Sequence, residues 1–240
     1  MEEKTRNSWR TLCRSLGARR AVEESLLVLD EGYGSQTRHY HSWKHVESCL
    51  EELAGCGDLD DEATVPLRPR AGEPGLRGGI LRAALWFHDA VYDPRREDNE
   101  ERSADLLLEL GDRMGLHRSS MEAAARLVLA TRHLSTFGQV TGAPSYARSC
   151  EQHGIGQKEE ELVCDIDLAV LGRSWRSFEE YEGGIRLEYA FVPEGEYRRK
   201  RSLVLRSFLE RPAIYRGSRF AGLYEARARE NIARLVASLR

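Results

Sequence analysis

No Cys-x-x-Cys unit occurs in this chain. Its five cysteines, Cys13, Cys49, Cys56, Cys150 and Cys164, are odd in number and scattered, so neither a zinc-cysteine motif nor a disulfide framework is indicated. A reducing cytoplasm is the expected setting. No uninterrupted apolar stretch approaches the roughly 20 residues that span a bilayer. The opening MEEKTRNSWR is too charged for a secretory leader, so neither membrane nor export is expected. Strand alternation, hairpin turns and internal repeats are missing as well. Charge of one sign is not in excess: a formal net charge of -3 over 240 residues gives no overall reason to expect nucleic acid or anionic membrane as the partner.

What is present is helical periodicity. With 41% hydrophobic and 31% charged residues, the chain suits one globular all-α domain. Residues 6–31, with Trp9, Leu12, Leu16, Val22, Leu26, Leu27 and Leu29, read as two short helices broken near Gly17, and Val46, Cys49, Leu50 and Leu53 as the apolar face of another. Residues 55–79 and 134–157, rich in glycine and proline, read as two long loops. Asp98 is the expected cap of a helix to about Met114, with Glu100 and Glu101 in its first turn, and Ser119 or Ser120 of the next, which ends at Thr131-Arg132-His133. Helix resumes from Glu159 to Leu171, then after Ser174, after Pro193, and from Phe220 to Leu239.

The chain is organised around Trp86 to Asp93, WFHDAVYD. The run from Ile80 to Phe87 is apolar on nearly every side, as in a helix buried all round, and it ends on His88-Asp89. A bare carboxylate there costs several kcal/mol, roughly, unless a cation or a full set of hydrogen bonds compensates it. A metal ion can take the neighbouring imidazole and carboxylate together. His41 and His45 lie four apart, sharing a face if their stretch is helical, and Asp165-Ile166-Asp167 sits on a third helix. Nitrogen and oxygen donors from three helices are the pattern of a metal site in a helical bundle.

In that order His45, His88-Asp89 and Asp167 resemble the H…HD…D signature of the HD superfamily of metal-dependent phosphohydrolases. The strings RHYHSWKHVESCL, ALWFHDAVYD, DNEERSADL, LATRH, DIDLAVLG and RLEYAFVP are similar to the group known as predicted HD phosphohydrolases, from about Ser8 to Leu239. The resemblance implies a single HD-type helical bundle over 1–240, with a metal-binding core at about 38–171 and C-terminal helices 174–239 packed on it. The two long loops exceed what that core requires. It implies His45, His88, Asp89 and Asp167 as ligands of one divalent ion (Mn, Fe, Co, Ni, Zn or Mg), with Asp165 a hydrogen-bonding neighbour of the ligands.

Tyr40-His41-x-x-x-His45 is also similar to the Y-H-x-x-x-H segment of cyclic-nucleotide phosphodiesterases, which implies His41 as the acid that protonates the leaving group. An acidic neighbour such as Glu101 is then needed to hold its proton. The implied reaction is hydrolysis of a phosphoester or phosphoanhydride of a nucleotide or other small phosphorylated metabolite by a metal-activated hydroxide, with Asp89 able to accept the water's proton. Arg38, Arg95, Arg132 and His133 are the expected substrate contacts, since guanidinium matches phosphate geometry. Arg96 is a further such candidate. Arg198-Arg199-Lys200-Arg201 reads mostly as a solvated face, and Tyr181, Tyr189 and Tyr197 as core. Two other readings stay open: a dinuclear HD-type oxygenase, which needs further histidine ligands such as His117 and His133, and a regulatory protein that binds metal or nucleotide without turnover.

Overall fold

With apolar residues at helical spacing and none at strand spacing, helix is the way this chain can bury its hydrophobic side chains. The computed structural model describes residues 1–56, 76–133 and 146–239, and these contain helices and no strand. The helices are α1 (Glu3–Ser15), α2 (Val22–Tyr33), α3 (Trp43–Gly55), α4 (Leu76–Phe87), α5 (Asn99–Met114), α6 (Arg118–Ala130), α7 (Ala147–His153), α8 (Gln157–Leu168), α9 (Trp175–Glu188), α10 (Glu194–Leu209) and α11 (Ser218–Ser238). A turn of 3-10 helix, Ala169–Gly172, follows α8. Among the described residues no helix is long and apolar enough to cross a membrane.

Most of the first expected loop, at 57–75, and half of the second, at 134–145, lie outside the described residues. Part of the second is not loop: α7 occupies Ala147–His153, a stretch free of the glycines and proline on either side, and ends where Gly154 takes a φ of 62°. Two expected caps are used otherwise. Asp98 precedes α5 but accepts from Arg96 Nε at 2.7 Å. Ser119 lies inside the first turn of α6, where its hydroxyl pairs with His117 Nδ1 at 2.8 Å and His153 Nε2 at 2.9 Å. Ser174 does cap α9, accepting from the Ser177 N–H at 3.2 Å.

The central element is α4, with nine of its 12 residues buried. Its Trp86 ring packs between Trp9 and Trp43, at centroid distances of 5.0 and 5.4 Å. Tyr33 donates its hydroxyl to the Trp86 carbonyl at 3.0 Å, which ties α2 to the end of α4 that carries His88. Fully burying a large apolar side chain contributes about 1.5–3 kcal/mol, so this aromatic cluster anchors the site's floor.

The 3-10 turn after α8 passes very close to α11. A Cβ on Gly172 would lie 2.4 Å from Tyr224 Cβ and 2.7 Å from its carbonyl oxygen. Gly172→Ala is therefore expected to cost about 1–3 kcal/mol by overpacking. Urea unfolding reads this as a lower midpoint at unchanged slope. An unchanged midpoint would mean that α11 can move aside freely.

Candidate metal centre

Four of the expected donors meet at one point because three helices end there and a fourth begins there. His45 stands on the first turn of α3, His88 and Asp89 directly follow α4, and Asp167 is in the last turn of α8. His133, just beyond α6, joins them. The C-terminal ends of α4, α6 and α8 bring the negative ends of three helix dipoles toward the same spot, which favours a cation. His41 is not on α3; it precedes the extended Ser42, and its ring centroid is 6.2 Å from that of His45.

The donor atoms are spaced as ligands of one ion would be. His45 Nε2 lies 3.0 Å from His88 Nε2, 3.0 Å from Asp167 Oδ1 and 3.5 Å from Asp89 Oδ2. His88 Nε2 lies 3.1 Å from Asp89 Oδ2 and 3.5 Å from Asp167 Oδ1. Two atoms bound at about 2.1 Å to a shared ion are separated by about 3.0 Å at a right angle and about 3.4 Å at the tetrahedral angle. The residues present fit a first-row divalent ion. His88 Nδ1 bonds the Leu85 carbonyl at 3.0 Å, which fixes the ring and turns Nε2 to the centre, the usual support of a ligating histidine.

No family model, curated protein or solved structure matches the chain. Its chemistry must be read from the site.

A further donor escaped the sequence reading. His45, Cys49, His88 and Asp167 form a group that could hold a metal, with donor atoms all within 4.8 Å of one another. Cys49 Sγ is 3.7 Å from His45 Nε2, and its place one turn after His45 was the signal that could have found it. Burial, with Asp167 and Asp89 nearby, raises the thiol's pKa well above its ordinary value, so the sulfur keeps its proton until a cation arrives.

Without an ion, a proton takes the cation's place. Burial alone would lower the His88 pKa, but Asp89 and Asp167 outweigh it and hold the value well above 6.5. Burial likewise works against the charged forms of Asp89 and Asp167. Imidazole partners, His88 foremost for Asp89 and His133 for Asp167, nevertheless hold both below the usual carboxylate range. Burial leaves His45 lowered and neutral, with a lone pair to offer. Metal binding must therefore displace the His88 proton. Calorimetry near pH 7 in buffers of differing ionisation heat should report release of about one proton per ion from His88 and a second where Cys49 binds as the thiolate, with affinity falling roughly tenfold per unit drop in pH for each proton released. Heats that do not depend on the buffer would contradict this.

His41 is held by a partner the sequence did not suggest. Glu188, its side chain 1% exposed, accepts His41 Nδ1 on Oε2 at 2.7 Å. Its Oε1 accepts the backbone N–H groups of His39, Tyr40 and His41 at 2.8, 2.8 and 3.0 Å. Gly184, one turn earlier on α9, permits this approach: a Cβ there would sit 3.1 Å from Tyr40 Cβ. Burial disfavours His41 imidazolium, but Asp89 and Glu188 prevail and raise its pKa. Glu101, the sequence-based candidate for this role, instead accepts from Arg132 Nη1 at 2.6 Å.

His41, Asp89, Arg132, His133 and Asp167 line a cavity of about 1130 Å³, also bordered by Tyr40 and Arg96. His133 Nε2 is 2.7 Å from Asp167 Oδ2, beside the cluster, whereas His117 is turned to Ser119. Arg38 is not among the lining residues; its guanidinium donates to the carbonyls of Asp89 at 2.6 Å and Ala90 at 2.9 Å, bracing the backbone behind the His-Asp pair. Arg95, like Arg38, is not among the lining residues; its guanidinium lies over the Phe191 ring at 4.1 Å. Asp165 faces away from the donors and accepts the N–H groups of Arg216 and Gly217 at 2.9 and 2.7 Å, tying the approach to α11 onto α8.

Proposed function

We propose that the protein is a metal-dependent phosphohydrolase of the HD type, acting on an ester or anhydride of a nucleotide or another small phosphorylated metabolite. The observation that carries this reading is the placing of His41. Its Nδ1 is tied to Glu188, which leaves Nε2 to meet a substrate, and the residue lines the same cavity as Asp89 and Asp167 of the donor cluster. An imidazole-rich set favours manganese, iron, cobalt, nickel or zinc over magnesium.

When bound, a divalent ion supplies charge stabilisation to a phosphoryl oxygen and makes a water molecule more acidic. The chain's residues do the rest. Asp89, at the cavity surface, accepts a proton from the attacking water. As the water oxygen bonds to phosphorus, the bond from phosphorus to the leaving oxygen breaks, and His41 Nε2 gives that oxygen a proton. Glu188 orients the imidazole and favours its protonated form beforehand. Arg132 stands at the rim, its charge shared with Glu101.

The test is phosphate release from nucleotides and phosphoesters by chelator-treated protein reloaded with each divalent metal in turn. Turnover should require the metal, vanish in Asp167→Asn, and fall roughly 10²–10⁴-fold in His41→Asn for esters with poor leaving groups. An ion bound tightly with no turnover on any substrate would overturn the hydrolase reading in favour of a metal-binding regulatory protein.

A further inference from the structure

Beyond the donor cluster the cavity has a second wall of different character, built by α9, α10 and the turn between them. Tyr181, Ile185, Tyr189, Phe191, Val204 and Phe208 line it. The Tyr189 and Phe191 rings stack at 5.9 Å with 25° between their planes, and Phe191 is 45% exposed. Nearer the cluster, Tyr92 stacks on His41 at 3.9 Å, so an aromatic surface continues up to the candidate acid.

The charged groups of this wall are already engaged, and Arg95 beside it lies over the Phe191 ring at 4.1 Å. Arg201 Nε donates to Glu182 Oε2 at 3.0 Å and its Nη2 to the Tyr181 hydroxyl at 2.7 Å. Lys200 pairs with Glu196 at 2.6 Å. A sugar or polyol entering here would trade hydrogen bonds to water for carbon faces and pre-paired ions, leaving hydroxyls unsatisfied. An aromatic body would instead meet ring faces and edges in geometries that attract. Size agrees: about 1130 Å³ is slightly above the usual range for small-ligand pockets, far more than a phosphate group needs.

We propose that the wall formed by α9 and α10 is a subsite for the aromatic body of a phosphate ester, and that it selects such esters over sugar and polyol phosphates. A nucleobase meets this requirement; a bare sugar phosphate does not. The ester part of the proposal rests on the phosphohydrolase reading, whereas the aromatic subsite is separable from it.

The experiment compares two primary-alkyl phosphomonoesters of similar leaving group, 2-(1-naphthyl)ethyl phosphate and glucose 6-phosphate, with the same metal. It also measures binding of 2-(1-naphthyl)ethanol to the metal-free protein by naphthyl fluorescence. The expected results are a kcat/KM at least about 100-fold higher for the naphthyl ester, saturable binding of the alcohol, and weakening of that binding by roughly 3- to 10-fold in both Phe191→Ala and Val204→Thr. The exposure of Phe191 and the near-identical shape of threonine and valine guard against loss of fold. Saturable, variant-sensitive binding without turnover of either ester would retain the subsite and remove the hydrolase. Turnover that is equal on the two esters or better on glucose 6-phosphate would overturn the subsite and retain the hydrolase, and alcohol binding that is absent or unmoved by both variants would overturn the subsite.

Discussion

Asp167→Asn should abolish the stabilisation that the protein gains from a divalent metal. Asp167 touches three imidazoles, with Oδ1 at 3.0 Å from His45 Nε2 and 3.5 Å from His88 Nε2, and Oδ2 at 2.7 Å from His133 Nε2. Asparagine keeps the shape but removes the charge and offers one oxygen where there were two. An ion present at about 100 times its dissociation constant stabilises the folded state by about 2.7 kcal/mol. For a chain of 240 residues that corresponds to a rise in Tm of roughly 5–11 °C. Thermal unfolding of chelator-treated protein, with and without added metal, should show this rise in the wild type and nearly none in the variant. Elemental analysis should find the metal lost in parallel. A variant that kept both its metal and its Tm shift would place the ion elsewhere.

Glu188→Ala should be among the most destabilising single changes in the molecule. It would leave the His39, Tyr40 and His41 N–H groups without their acceptor and His41 without its counter-charge. Breaking a buried, hydrogen-bonded charge pair typically costs about 3–5 kcal/mol. Urea unfolding measures the loss, and one below about 1 kcal/mol would mean that water replaces the carboxylate easily.

Glu188→Gln separates positioning from folding, because its amide oxygen can still accept the three N–H groups while the charge is gone. Its kcat should fall about 10²–10³-fold with KM little changed, and a parallel rise in KM would point to general disorder instead. The pH dependence follows from opposite shifts. Burial pushes the Glu188 pKa up, but the bond to His41 prevails and lowers it. Its contribution to stability is thus present above about pH 4.5 and is lost as pH falls through the lowered folded value. Burial would lower the His41 pKa, but Asp89 and Glu188 raise it. Its contribution is full below about pH 6.5 and is lost as pH rises through the raised folded value. In metal-free protein the stability gap between wild type and Glu188→Gln should be largest between about pH 4.5 and 6.5 and shrink on both sides. A gap constant across this range would show that the pair carries no charge coupling.

The sequence by itself determined the helical class and which residues could serve as donors. Apolar periodicity is local, so the all-round burial of α4 was legible from Ile80 to Phe87, and with it the unusual position of His88-Asp89 at the end of that helix. The i, i+4 relation of His45 and Cys49 was legible too, although a lone cysteine on an apolar face gave no reason to choose it. Only the tertiary structure decided partnerships. Glu188 lies 147 positions from His41, and nothing in the periodicity of α9 distinguishes it from the other acidic residues there. Arg38 reads as a phosphate clamp until the fold presents it with the Asp89 and Ala90 carbonyls, which the end of a helix leaves in want of donors. Tyr181, Tyr189 and Tyr197 read as core because a core stripe and a cavity wall have the same helical spacing. The difference lies in whether another element fills the space opposite, and that is set by how the helices are arranged in three dimensions.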